Sequence, residues 1–216
     1  MPPYPIPEPN VFAAAEESFQ ELVRHVRADA AMRMTHGEIE ELIRCEGTEV
    51  LRRLFQGHLD LRAVSEDRAP VEGADGVVRT HCRESERRLE TVLGTVVVRR
   101  QSWSARGLDA VQPLDAHLNL PPDQFSHGVR HRVCEVALGA SFERAAELVS
   151  KTTGANIAKR QCEEVVARAA ADFDGFYTAT APAQDKPGEI LVLSFDGKGV
   201  VMRTEALRPA TRKAAI

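Results

Sequence analysis

Apolar residues recur at three- and four-residue intervals along the first part of the chain, and that spacing predicts two amphipathic helices. In the first, Asn10 stands where a cap belongs, and Phe12, Ala15, Phe19, Leu22, Val23 and Val26 share one face. Thr35 and Glu38 have capping-box spacing ahead of a second helix bearing Ile39, Leu42, Ile43, Val50, Leu51, Leu54 and Phe55. Gly47 and Gly57 weaken that helix and allow a kink or a break. The acidic opposite faces are either solvated or the place where protomers pair. Asp60 to Gly76 reads as a polar linker with a turn near Asp75-Gly76.

The pattern then changes. Thr91 to Arg100 is rich in β-branched residues, and Gly94 marks a turn or bulge between two short strands. From Pro121 helical spacing returns. Asp123 caps a helix with Phe125, Val129, Val133 and Val136 on one face, ending at Gly139. A second helix from Ser141 carries Phe142, Ala145, Ala146 and Val149, and Gly154 is expected to close it in the left-handed conformation. A third begins near Ile157, with Cys162, Val165, Val166, Ala169 and Phe173 inward. An Ala/Pro linker leads to Ile190-Leu191-Val192-Leu193, which reads as a buried strand.

Composition narrows the class. No apolar run reaches the ~18 residues of a membrane span. The leader Met1-Pro2-Pro3-Tyr4-Pro5-Ile6-Pro7 lacks the pattern of a signal peptide. Cys45, Cys82, Cys134 and Cys162 are far apart, which argues against a disulfide framework or a zinc ribbon and for reduced thiols in the cytoplasm. The net charge of −4 is unevenly spread. Residues 1–76 hold 8 basic and 15 acidic side chains, residues 77–132 hold 9 and 6, and residues 133–216 hold 11 of each. Contacts to DNA therefore have to come from local patches.

Two such patches stand out. Arg79, Arg83, Arg87, Arg88, Arg99, Arg100 and Arg106 surround the β segment, and arginine forks suit phosphates. The alternative is a solvated arginine face packed on the acidic helices. In the helical unit, two helices joined by a glycine-containing turn have the helix-turn-helix pattern, and Lys159, Arg160 and Gln161 open the helix that would read DNA. A merely structural trihelix remains the other reading. His127 and His131 share a helix face without a third ligand, and Asp172 and Asp174 read as solvated charges before Gly175. Asp196-Gly197 between apolar runs is a hairpin signal, while a carboxylate at the end of a buried strand is also where a metal-dependent nuclease places a metal ligand.

Leu193-Ser194-Phe195-Asp196-Gly197-Lys198-Gly199-Val200-Val201-Met202-Arg203, followed by Glu205-Ala206-Leu207-Arg208 and Thr211-Arg212-Lys213, resembles the start of the catalytic domain in the Kra-type insertion-sequence transposases. These are bacterial DDE enzymes of the ribonuclease-H-like fold. The resemblance extends upstream through Thr91 to Arg100, Pro113-Leu114-Asp115, Leu118 to Asp123, Phe125 to Gly128, Lys159-Arg160-Gln161 and Asp172-Phe173-Asp174. It implies the N-terminal part of a transposase, cut off just after the first catalytic strand. The expected architecture is α+β and mostly helical: a helical region (1–76), an arginine-rich β element (77–120), a helix-turn-helix domain (121–177), a linker (178–188) and the first hairpin of an incomplete ribonuclease-H-like domain (189–216).

In a complete enzyme of this kind, three carboxylates hold two Mg²⁺ or Mn²⁺ ions, and Asp196 is expected to be the first of them. With its partners absent, the chain alone is expected to hold no metal and to be inactive. His81-Cys82 lacks the paired cysteines of a zinc ribbon, so no zinc is expected. The implied partner is the double-stranded DNA of transposon ends, bound by Lys159, Arg160, Gln161, Arg87, Arg88, Arg99 and Arg100, with a homo-oligomer left open. A helix-turn-helix transcriptional regulator and a non-catalytic helical interaction protein are the alternatives.

Overall fold

Residues 10–180 are described by a computed structural model of the α+β class, with helices before and after one long hairpin in the chain. In chain order they form helices α1 (Ala13–Arg27) and α2 (His36–Val64), then a small ribbon of β1 (Val71–Glu72) and β2 (Val78–Arg79). The long hairpin of β3 (His81–Thr91) and β4 (Gly94–Ser104) comes next, followed by the short helix α3 (Pro113–His117). Helices α4 (His127–Ala137), α5 (Phe142–Thr152), α6 (Lys159–Ala169) and α7 (Phe173–Ala179) complete the order. The chain divides at Phe173, so most of α7 belongs to a separate second unit. The linker and hairpin expected after Thr180 lie outside the described residues.

Helix α2 starts where the capping box places it. Thr35 Oγ1 accepts the Glu38 amide at 3.4 Å, and Glu38 accepts the Thr35 amide at 2.7 Å. That bond holds the Glu38 carboxyl below its ordinary range. The helix then runs unbroken through both glycines, which corrects the expected kink. Pairs of Glu41 with Arg44, and of Glu49 with Arg52 and Arg53, support it at helical spacing. Gly57 serves packing instead: a β-carbon there would lie 2.6 Å from the Val11 carbonyl oxygen and 2.8 Å from the Phe12 ring. Asn10 does not cap α1 directly; it accepts the Phe12 amide and donates to Glu16, bending the chain into a helix that starts at Ala13. Along α1, Ser18 is buried beside Ala15 while Phe19 is half exposed, because the strip against α2 is narrow and Phe19 falls at its margin.

β3 and β4 pair from His81↔Ser104 to Thr91↔Gly94, and only Val92 and Leu93 lie between them. Gly94 supplies the φ of +119° that this tight turn needs. Thr91 Oγ1 locks the turn by donating to the Gly94 carbonyl at 2.7 Å and accepting the Leu93 amide. The strands outrun the short pair expected, since β3 extends back to His81 through a charged stretch that carries little apolar alternation. Leu89, Val96 and Val98 on one face pack with Leu59 of α2 and Leu114 of α3.

The outer edge of β4 is covered by side chains. The Gln56 amide donates to the Val97 carbonyl and accepts the Val97 N–H, both at 2.8 Å. Arg52 reaches the Thr95 carbonyl, Glu66 accepts the Gln101 amide at 2.7 Å, and Trp103 exchanges both backbone bonds with Val111. Polar groups that would otherwise template another strand are thereby satisfied.

Helices α4, α5 and α6 enclose Phe125, Val129, Val133, Val149, Ile157, Cys162 and Val165, with Val92 from the hairpin turn packed against them. Ser126, not Asp123, caps α4 by accepting the Val129 amide. Asp123 instead accepts the Phe125 amide and faces Arg130 and Arg168. Ser141 caps α5 through the Arg144 amide. Gly154 is not left-handed; its place is dictated by contact, since a β-carbon would lie 2.4 Å from the Gly94 nitrogen. Its own amide donates to the Val92 carbonyl at 3.1 Å. The third helix stops at Ala169, where Ala170 leaves helical geometry. The register that aligned Phe173 with Val166 is thereby lost, and Phe173 opens α7 exposed rather than inward.

The surroundings of the glycines predict opposite outcomes for similar replacements. Gly47→Ala, with nothing within 4 Å of the new methyl, is expected to stabilise by about 0.5–1 kcal/mol. Gly154→Ala should destabilise by about 1–3 kcal/mol through overpacking at the hairpin turn. Urea denaturation measures both. By the same measurement Gln56→Leu, which strands the Val97 N–H and C=O, should cost about 1–3 kcal/mol.

Candidate nucleic-acid interface

The first turn of α6 projects cations because its inward positions are taken by Cys162 and Val165, which are fully buried. Lys159 and Arg160 are exposed, and Arg160 pairs with Glu164 at 3.1 Å while remaining 87% accessible. Lys159 has no ion-pair partner among the described residues. Gln161 helps to hold the fold, because its side-chain oxygen accepts the Ala158 amide at 2.9 Å at a helix start that lacks a hydroxyl cap. Its NH₂ group is left as the donor available to a ligand.

The arginines of the β element divide into two kinds. Arg87 and Arg100 face inward on the same side of the hairpin and converge on Asp115 of α3, with side chains only 16% and 13% exposed. Arg87 also donates to the carbonyls of Pro121 and Asp123. They bind α3 and the segment before α4 to the sheet. Arg99 and Arg88 lie on the other face. Arg99 bridges Asp60 of α2 and Glu86 across the hairpin, and the Asp60 charge beside it raises its pKa. Arg88 is exposed and has no ion-pair partner among the described residues.

Arg88 and Gln161 are brought together. With Glu90, Gln124, Asn156 and Ala158 they line a cleft of about 370 Å³ between the hairpin and the start of α6. Glu90 fixes its geometry, taking the Thr95 hydroxyl on one oxygen and the Asn156 amide on the other. Lys159 and Arg160 follow Ala158 directly in the chain. The arrangement offers cations for phosphate and two amide side chains, Asn156 and Gln161, of the kind that read base edges. Asn156 carries no sequence signal, since it stands in an irregular turn whose position depends on Glu90, far away in the chain.

The remaining candidates are placed elsewhere. Asp196, the expected metal ligand, lies outside the described residues. Among the described residues no group of three or more His, Cys, Asp or Glu side chains is arranged to hold a metal ion. His81 is exposed and the Cys82 thiol donates to Gln101. His127 bonds the Asn119 carbonyl at 2.9 Å, and His131 lies 4.0 Å from Glu135.

The two arginine classes predict a contrast in stability. Arg100→Ala removes one of the two cations that meet on the partly buried Asp115 and leaves Arg87 there, so it should cost about 1–3 kcal/mol. Arg88→Ala should change stability by no more than about 0.5 kcal/mol. Denaturant midpoints of the two variants against the parent chain provide the check. Compared with known proteins, the chain matches no protein-family model, no curated protein and no solved structure.

Proposed function

We propose that this chain is the DNA-recognition part of an insertion-sequence transposase, with α5 and α6 acting as a helix-turn-helix on the double-stranded ends of the element. The observation that supports this best is the cleft shared by Arg88 and Gln161, beside the exposed cations Lys159 and Arg160. An exposed helix start bearing cations and an amide is suited to enter a major groove, while an arginine on the neighbouring strand holds the flanking phosphate. Arg87 and Arg100 drop out of this interface, since Asp115 already engages them. Strand cleavage would require a divalent-metal site built on Asp196, which lies outside the described residues.

The test is fluorescence anisotropy with a labelled duplex copied from the DNA flanking the gene. Replacing Arg88, Lys159 and Arg160 together by alanine should weaken binding at least tenfold and lower the salt slope by about one for each phosphate that no longer meets a cation. Helical circular dichroism should be unchanged. Equal affinity of the folded triple variant would overturn the assignment. Binding to random duplex as tight as to the flanking DNA would remove the claim of end recognition.

A further inference from the structure

Helix α2 has two working faces and a third with nothing against it among the described residues. Gln56, Leu59 and Ala63 face the hairpin, and Gly57 and Arg53 meet α1. On the side away from the sheet, Ile43, Leu51, Leu54 and Leu61 fall within about a quarter of the helix circumference, with the exposed His58 between Leu54 and Leu61. They are 42–49% exposed, and Phe19 of α1 lies beside them at 51%. Phe12, Ala15, Phe19, Val50 and Leu54 together line an apolar groove. An exposed apolar strip of this extent on a helix otherwise rich in Glu and Arg marks an interaction surface.

We propose that a second copy of this chain occupies it, with the two α2 helices antiparallel about a twofold axis. The spacing of the strip is self-complementary. A centre near residue 52 sets Leu51 of one copy close to Leu54 of the other and Ile43 close to Leu61, each to within about one residue, or ~1.5 Å along the axis. The charges agree with that register. Glu40 precedes the strip at one end and Arg62 adjoins it at the other. Antiparallel pairing brings each Glu40, which lies 3.9 Å from His36 of its own helix, within about one helical turn of the second copy's Arg62, a gap that two long side chains span. Arg62 has no ion-pair partner among the described residues, and parallel pairing would align like charges. The apolar core and charged flanks follow the usual division of labour in paired helices. The inference is independent of DNA binding.

Sedimentation equilibrium of the full chain tests it. The chain should sediment at twice its monomer mass at tens of micromolar. Leu54→Glu places a carboxylate at the centre of the interface in both copies and should weaken association by roughly a hundredfold. Glu40→Arg should weaken it by roughly five- to tenfold, and Glu40→Arg with Arg62→Glu should restore it. Because Glu40 is highly exposed, these charge variants keep the test decisive even if Leu54→Glu misfolds. A monomeric parent chain, or a double charge variant no tighter than Glu40→Arg alone, overturns the proposal. A monomer that still binds flanking DNA overturns the dimer alone; a dimer without DNA affinity overturns only the proposed function.

Discussion

The described fold depends on how the outer edge of β4 is closed. A two-stranded hairpin is marginal in water and leaves two rows of unpaired backbone groups. Here one row is taken up by side chains of α2 and of the segment just after it: Gln56 stands in for a peptide group against Val97, Arg52 reaches Thr95, and Glu66 takes the Gln101 amide. Val111 continues the coverage at Trp103. The same helix lays Leu59 on the apolar face formed by Leu89, Val96 and Val98. With one element supplying both the edge and the face, the register of α2 on the sheet is fixed in two directions. Everything attached to the hairpin inherits that placement.

Local features are legible in the sequence and long-range ones are not. Thr35 and Glu38 announce their helix start because a capping box is complete within four residues. Gly94 likewise marks the turn, whose geometry is set by its neighbours. The length of β3 is hidden, because its inward positions include Arg87, which is neutralised by Asp115 from a distant helix. The role of Gly154 is hidden for a similar reason, since nothing near it in the chain reveals the hairpin turn against its α-carbon. Asp123 reads as a cap although Ser126, three residues on, offers an equal signal, and only the placement of Arg130 and Arg168 shows which of them turns inward. For the candidate interface, Lys159, Arg160 and Gln161 can be read from position alone, whereas Asn156 joins them through Glu90.

Arginine content alone is a poor guide to the surface field. Of the five arginines of the hairpin, Arg87 and Arg100 are consumed by an internal anion, Arg99 is shared between two carboxylates, and Arg83 and Arg88 are exposed with no ion-pair partner among the described residues. The free positive charge of the β element is therefore smaller than its arginine count suggests.

The seating of Val92 against the three-helix core has a consequence for how α6 is held. The contacts among α4, α5 and α6 are close in sequence and cheap in loop entropy, whereas those joining them to the hairpin turn close a much longer loop. Val92 seated on the three helices and the bond from the Gly154 amide to its carbonyl fix that unit on the hairpin turn. The angle at which α6 is presented is therefore set at the hairpin turn and not by the three helices alone.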